Sequence, residues 1–266
     1  MAPRSFSDFP PLSKGTAKFI RSLRQKQHRQ QASAFVVEGA KNVTQLLAAQ
    51  HYTVQMLVGT PTFLAAHSTW CTNKHFPAFQ TDAATLATLG TFATNNAALA
   101  VANIPTHTAA APPTAAWGLA LDDIRDPGNL GTIVRLVDWY NIPAIACSPT
   151  TVDLYNPKVL HASMGSYARV QVYYTSLSTL FKSTAWPVLG TFTSGDNLHE
   201  ITMPRPSWIV VGNEARGISP AVLPYIQQRI SIPRYGQAES LNAAMATAIV
   251  CDNWQRKDTA MSVSPH

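Results

Sequence analysis

The hydrophobic and polar pattern divides the chain into two regions. Phe19, Ile20 and Leu23 recur at helical spacing among basic residues, which predicts an amphipathic helix with its apolar stripe inward and its bases toward solvent. "AFVVEG" then reads as a buried strand ending in a glycine turn, and "KNVTQLLAAQ" as a helix. Between Val54 and Val101 the apolar runs "VQMLVG" and "AALAVA" alternate with stretches such as "DAATLATLG", predicting a compact α/β unit. Asn103 to Ala116, "NIPTHTAAAPPTAA", has three prolines and no charge, the composition of a linker. From Trp117 apolar strands alternate with polar loops and helices: "WGLALDDI", the loop "RDPGNLG", the helix "TIVRLVDWYN" and the strand "AIACS". "VLGTF" leads into "TSGDNL", and "WIVVG" into "NEARGIS" and a helix "PAVLPYIQQ". "ISIP" then crosses a glycine loop to a helix running toward Lys257. This alternation predicts an α/β fold with a mainly parallel sheet, whose ligands bind at the carboxyl ends of the strands. The expected divisions are an N-terminal domain at 1–104, a linker at 105–116, a second domain at 117–257 and a frayed tail at 258–266.

Of the 266 residues, 46% are hydrophobic and 13% charged, which excludes a disordered chain. Lys and Arg number 20 against 14 acids, a net charge of +6 that favours a polyanionic partner. The bases concentrate in Lys14–Lys41, where Lys14, Lys18, Arg21, Arg24, Lys26, Arg29 and Lys41 face a single acid, Glu38. That stretch reads as a phosphate-contacting surface or as a solvated face. No signal-peptide pattern and no apolar run of membrane-spanning length is present, so a soluble cytoplasmic protein is expected. Cys71, Cys147 and Cys251 form no Cys-x-x-Cys pair, as expected for reduced thiols. His67, Cys71 and His75 share a four-residue interval, but three ligands at that spacing make a thin case for zinc, and no metal is expected. Trp139 and Tyr140 read as buried in the sheet or an interface, or as stacking surfaces.

Three loops carry candidate chemistry. In "DPGNLGTIVR" the prediction is a tight turn exposing amides, with Arg135 one helical turn beyond Gly131. The guanidinium there suits a phosphate, or else pairs with Asp122, Asp123 or Asp126. "VGNEARGIS" lacks the dinucleotide-binding spacing, so no nicotinamide cofactor is indicated. Its Glu214 could bond a ligand or cap the following helix. In "ISIPRYGQAESLNAAMATAIV" Ser240 is expected at a helix start, and Ser240 and Asn242 serve either as caps or as functional groups.

Taken together, "NLGTIVR", "VGNEARG" and "SIPRYGQAESLN" resemble the three motifs of the SpoU/TrmH family of RNA ribose 2'-O-methyltransferases. The likeness lies in an Asn six residues before an Arg, in Gly-x-Glu-x-x-Gly after an apolar strand, and in Ile-Pro-x-x-Gly followed by Glu-Ser-Leu-Asn. It spans Trp117 to Lys257. "IRSLRQKQHR" and "FVVEG" resemble more loosely the family's ribosomal-protein-like substrate-binding domain.

The resemblance implies a C-terminal α/β domain threaded into a trefoil knot, a smaller N-terminal RNA-binding α/β domain, S-adenosylmethionine as methyl donor, RNA as substrate and a homodimer. It places Arg135, Asn129, Glu214, Ser240 and Asn242 at catalytic positions. It places Gly212, Ile232, Leu241 and Thr191 against the methyl donor, and Lys14, Lys18, Arg21, Arg24, Lys26 and Arg29 on the RNA. His161 stands where the family often has arginine, and Arg234 where it is commonly apolar. A catalytically silent RNA-binding protein and a knotted base-nitrogen methyltransferase are the competing readings.

Overall fold

The computed structural model describes residues 9–73, 76–105, 117–142 and 144–262. These fall into two compact units, one of the residues up to 105 together with Tyr155–Ala168, the other of the residues from 117 to Leu154 together with Arg169 onward. Beyond Pro105, the expected linker lies outside the described residues.

The first unit runs α1 (Lys14–Ser22), α2 (Lys26–Ala32), β1 (Ala34–Glu38), α3 (Ala40–Ala48), β2 (Val54–Gly59), α4 (Pro61–Ala66), α5 (Ser68–Asn73), β3 (Ala78–Gln80), α6 (Ala83–Leu89) and β4 (Ala98–Asn103). Its sheet has the order β1-β4-β2-β3, with β4 antiparallel to both neighbours and β3 parallel to β2. Ile20 and Leu23 are fully buried and pack with Val36, Val58, Leu86 and Val101, so the stripe faces inward as its spacing predicts. The single helix expected there is two. Ser13 opens α1 by accepting from the Thr16 amide at 3.0 Å, and the chain turns at Leu23 before α2 begins.

The chain continues as β5 (Trp117–Leu121), α7 (Pro127–Trp139), β6 (Ala144–Cys147), α8 (Pro157–Ala162), β7 (Gln171–Tyr174), α9 (Leu177–Ser183), β8 (Val188–Phe192), β9 (Asp196–Asn197), β10 (Ser207–Val211), β11 (Gln228–Ser231) and α10 (Ala243–Ser262). Helix α8 belongs with the first unit. Tyr155, just before it, packs its ring 4.5 Å from that of Phe35, and the Tyr167 hydroxyl donates to the Asn42 carbonyl at 3.1 Å. The expected continuous domain at 117–257 is therefore interrupted by a segment whose aromatic side chains complete the first unit's core.

The sheet of the second unit has the order β7-β6-β5-β10-β8-β11-β9, and every pairing is parallel. From β5 the strands step outward to β6 and β7; later strands lie on the other side, and β10 returns to pair with β5. The strand order reverses between β5 and β10, which is where open α/β sheets place their ligands. Both strands are wholly buried, and their register pairs Leu121 with Val211, so the loops after them start side by side. At the opposite end Trp117 stacks on Trp254 at 4.6 Å and 13°, and both are buried, which fastens α10 against the sheet.

Two elements differ from the periodicity. "PAVLPYIQQ" is not an α-helix but turns with one 3-10 segment, Leu223–Tyr225, because Pro224 supplies no amide to continue it. Helix α10 runs on to Ser262, into the expected tail, whose last residues lie outside the described set.

Candidate active site

The first loop is shorter than its glycines suggest. Asp126 caps α7 by accepting from the Asn129 amide at 2.9 Å, and Pro127 occupies the first turn, where a missing amide costs nothing. Gly128 and Gly131 are helical, so the expected amide-lined turn gives way to the first turns of α7, with Asn129 at their start and Arg135 further along. Arg135 is exposed and makes no ion pair or hydrogen bond with the described residues. Its alternative partners are engaged elsewhere: Asp122 accepts from the Ser219 amide at 2.7 Å, Asp123 pairs with Arg125 and Arg216, and Asp126 is the cap.

The second loop closes on itself. The Asn213 amide donates to the Gly217 carbonyl at 3.0 Å and the Gly217 amide returns to the Asn213 carbonyl at 2.8 Å. Gly212 sits where a Cβ would lie 2.4 Å from the Gly217 carbonyl carbon, and Gly217 has φ of +67°, so both glycines are required by the backbone. With no helix following, Glu214 is not a helix cap; its Oε1 accepts from Asn129 Nδ2 at 2.5 Å.

In the third loop Asn242 is the helix cap. Its Oδ1 accepts from the amides of Ala244 at 2.9 Å and Met245 at 3.3 Å. Ser240, expected in that role, is exposed before the helix and its hydroxyl bonds no described residue. Asn242 Nδ2 remains free of the cap and donates to Asn129 Oδ1 at 2.8 Å. The three loops thus meet in one relay, Asn242 to Asn129 to Glu214, which fixes which end of the Asn129 carboxamide faces each neighbour.

Beside the relay lies a cavity of about 790 Å³, lined by Thr191, Gly212, Ile232 and Leu241, the four residues expected against a methyl donor, together with Glu214 and Ser240. The Thr191 hydroxyl donates to the Val210 carbonyl at 3.1 Å. The buried Val211, Leu198 and Ile230 give the cavity an apolar wall, and its size suits a nucleoside-sized ligand. Apolar wall, backbone polar groups and volume all fit S-adenosylmethionine. Arg234, at the departure from the family pattern, reaches the Ala238 carbonyl at 3.5 Å across its own loop. Among the described residues no cluster of three or more His, Cys, Asp or Glu could hold a metal ion.

Asn213 is not among the residues expected at the site, and Asp123 is expected only as an alternative partner of Arg135. Asn213 Oδ1 accepts from the amides of Ala215 and Arg216, at 2.9 and 3.1 Å, and its Nδ2 donates to the Asp123 carbonyl at 2.9 Å. Burial pushes the Asp123 carboxyl up, but hydrogen bonds from Arg125 and Thr150 and the charges of Arg125 and Arg216 outweigh it and hold it below the ordinary range. The signal is a polar residue two positions past the end of each central strand.

In the first unit Lys14, Lys18, Arg21, Arg24 and Lys26 are exposed, with Arg21 and Arg24 both reaching the Thr88 carbonyl. Arg29 is not on that surface. It is 2% exposed and donates to the carbonyls of Leu23 at 3.1 Å and Arg24 at 2.9 Å, closing the end of α1. His161 stacks on Phe92 with ring centroids 4.1 Å apart. Of the spaced His and Cys residues, His67 Nδ1 bonds the Phe63 carbonyl at 2.9 Å, Cys71 is buried, and His75 lies outside the described residues. Trp139, expected in the sheet, in an interface or as a stacking surface, is 82% exposed and so is not in the sheet.

A family model described as "SpoU rRNA Methylase family" matches residues 117–252, the region of the relay and the cavity. The chain belongs to the SpoU rRNA methylase family. A second model, the MRM3-like substrate binding domain, matches residues 15–100 of this SpoU-family protein. The 23S rRNA (guanosine(2553)-2'-O)-methyltransferase of Bacillus subtilis is 36% identical over 141 residues, covering 52% of the chain and 57% of that protein. The chain spans about half the length of the curated relatives it matches. Among solved structures, a TrmH-family protein from Porphyromonas gingivalis superposes with a TM-score of 0.80 at 35% identity, over 92% of the chain and 99% of that protein. An AdoMet-bound rRNA methyltransferase from Sinorhizobium meliloti gives 0.82 at 25% identity, over 93% and 97%. The α/β fold, with its parallel sheet, is that of these methyltransferases.

Proposed function

We propose that this protein transfers a methyl group from S-adenosylmethionine to a ribose 2'-hydroxyl of transfer or ribosomal RNA. One observation carries the reading: the Asn242–Asn129–Glu214 relay locks three loops together beside an apolar cavity, while Arg135 on the same helix as Asn129 keeps its guanidinium uncommitted. When bound, S-adenosylmethionine supplies an electrophilic methyl group. The chain's own residues supply place and charge. Gly212, Ile232, Leu241 and Thr191 would hold the donor. Arg135 would grip the phosphate beside the target ribose and stabilise negative charge developing on its oxygen, and a guanidinium that stays protonated suits that role better than a base. Asn129, Glu214 and Asn242 would keep the wall rigid, and the unbonded Ser240 hydroxyl lines the cavity as a contact for the ribose.

Lys14, Lys18, Arg21, Arg24 and Lys26 would bind the RNA backbone. A homodimer belongs to the same reading, supported by three exposed large side chains, Trp139 at 82%, Leu241 at 48% and Met245 at 59%, on or just before the packed helices α7 and α10. So do a trefoil knot in the second unit and a cytoplasmic location. Among the described residues no helix is long and apolar enough to cross a membrane.

The test is methylation of total transfer and ribosomal RNA with labelled S-adenosylmethionine, followed by mapping of phosphodiesters that resist alkaline cleavage. A single new resistant position is expected. Label incorporated into alkali-sensitive RNA would move the chemistry to a base, and no incorporation by protein that binds RNA would leave a silent binder.

A further inference from the structure

Asp123 stands outside the three motifs, yet it touches the ends of three strands. Its own strand is β5. Its amide donates to Ser148 Oγ, just past β6, at 2.8 Å, and its carbonyl accepts from Asn213 Nδ2, just past β10, at 2.9 Å. The carboxylate accepts from Arg125 Nε at 2.9 Å through one oxygen. Through the other it accepts from Arg216 Nη2 and Asn213 Nδ2, both at 3.3 Å. The backbone holds φ of +60°, a left-handed conformation that Asp and Asn tolerate best among residues with a side chain. Arg216 and Asn213 flank Glu214, and Asn213 also fixes the Ala215 and Arg216 amides, so the part of the loop carrying Glu214 is anchored beside β5 through Asp123, while Asp122 holds the loop's far end at the Ser219 amide.

We propose that Asp123 is a positioning residue for methyl transfer: by clamping Asn213 and Arg216 it fixes the 213–217 wall of the cavity and aims Glu214 at Asn129. The role rests on the methyltransferase reading above. Arg125 completes the clamp from the other side, and its exposed guanidinium keeps the carboxylate paired where a lone charge against the loop would draw water in.

The test uses Asp123→Gly, which removes the carboxylate while suiting the positive φ, and Asp123→Asn, which keeps one acceptor oxygen. Hydrogen exchange at the Ala215 and Arg216 amides is read in the full chain, and kcat and KM are measured on unmodified RNA that the wild-type protein methylates. Asp123→Gly should speed exchange at both amides about tenfold or more and lower kcat by a similar factor, with KM for RNA within about threefold. Asp123→Asn should recover part of both. Combined with Glu214→Ala, Asp123→Gly should add no further loss, because it acts through Glu214. Unchanged exchange, or losses that multiply, would overturn the proposal. If Asp123→Gly does not fold, Asp123→Asn carries the same exchange and coupling readouts. Wild-type protein that methylates no RNA overturns the proposed activity instead, and amide exchange still decides the role of Asp123.

Discussion

Asn242 Nδ2 donates to Asn129 Oδ1 at 2.8 Å, joining the cap of α10 to the first turn of α7 across a sequence separation of 113 residues. With its oxygen taken, Asn129 can only offer Nδ2 to Glu214. Asn129→Asp sets a carboxylate against Glu214 and removes the donor, whereas Asn129→Ala only removes the bonds. Methylation should fall about a hundredfold in Asn129→Ala, the scale of a small misplacement at a reacting centre, and further in Asn129→Asp. Single-turnover rates at saturating donor check the order; equal losses would mean that the polarity of the relay is unimportant.

Arg135 has no partner among the described residues, so its removal should cost little in folding. Arg135→Ala is expected to keep its stability within about 0.5 kcal/mol, as ordinary surface changes do. The methylation rate should drop roughly 10² to 10³-fold, the scale of losing one donor to a developing charge. Arg135→Lys should recover only part, because an ammonium lacks the planar fork. Thermal melts beside rate measurements separate the cases: a melting temperature that falls with the rate makes the residue structural.

Much of this was legible in the sequence because strands of a buried parallel sheet are uninterrupted apolar runs. "WGLAL" and "WIVV" could be little else, and the loops after them had to hold the chemistry. The break between α1 and α2 was hidden because Leu23 continues the apolar stripe while the chain turns beneath it. Arg29 was misplaced for a related reason, since composition counts its charge and cannot see two carbonyls at a helix end that need a donor. The start of α10 slipped from Ser240 to Asn242 because both are good caps, and the bond to Asn129, a tertiary contact, selects between them. Residues 155–168 gave no sign of joining the first unit, because the partner of Tyr155 is Phe35, far away in sequence.

The two glycines of the second loop should respond differently to alanine. At Gly212 the added Cβ meets backbone, 2.4 Å from the Gly217 carbonyl carbon and 2.5 Å from the Ile218 nitrogen, and neither can rotate away. Gly212→Ala should lose about 1 to 3 kcal/mol, as overpacked sites do, together with donor binding. At Gly217 nothing lies within 4 Å, and alanine meets only the φ of +67°. Gly217→Ala should cost about 1 to 2 kcal/mol and weaken donor binding less. Urea midpoints and calorimetry with S-adenosylmethionine give both quantities, and a Gly212→Ala protein that binds the donor normally would contradict the close approach.

The basic stretch should separate into structure and binding. Arg29→Ala leaves the Leu23 and Arg24 carbonyls without their buried donor and should cost about 1 to 3 kcal/mol. Lys14→Glu and Lys18→Glu lie on exposed α1 and should melt like wild type. They should weaken RNA binding and flatten its dependence on salt, by roughly one unit of slope for each phosphate no longer neutralised. Filter binding across a salt series tests this, and an unchanged slope would move the RNA elsewhere.

The buried thiols give the fold an alkaline limit. Burial pushes Cys251 up from 9.0 to about 12 and Cys147 further still, because the core cannot solvate a thiolate. The unfolded chain ionises these thiols near the ordinary value, while the folded chain keeps them protonated. Above pH 9 the unfolded state therefore binds fewer protons, and stability falls with rising pH by about 1.4 kcal/mol per unit for each such thiol. Their contribution is fully present below pH 9 and is eroded through the window up to about 12. Urea unfolding at several pH values between about 8 and 10.5 should show this slope, and Cys251→Ala should be less stable at pH 8 but lose stability more slowly as pH rises. The same burial predicts that a thiol reagent at about pH 8 modifies Cys147 and Cys251 only as fast as the protein unfolds. Rapid modification of either in native protein would place that thiol outside the core.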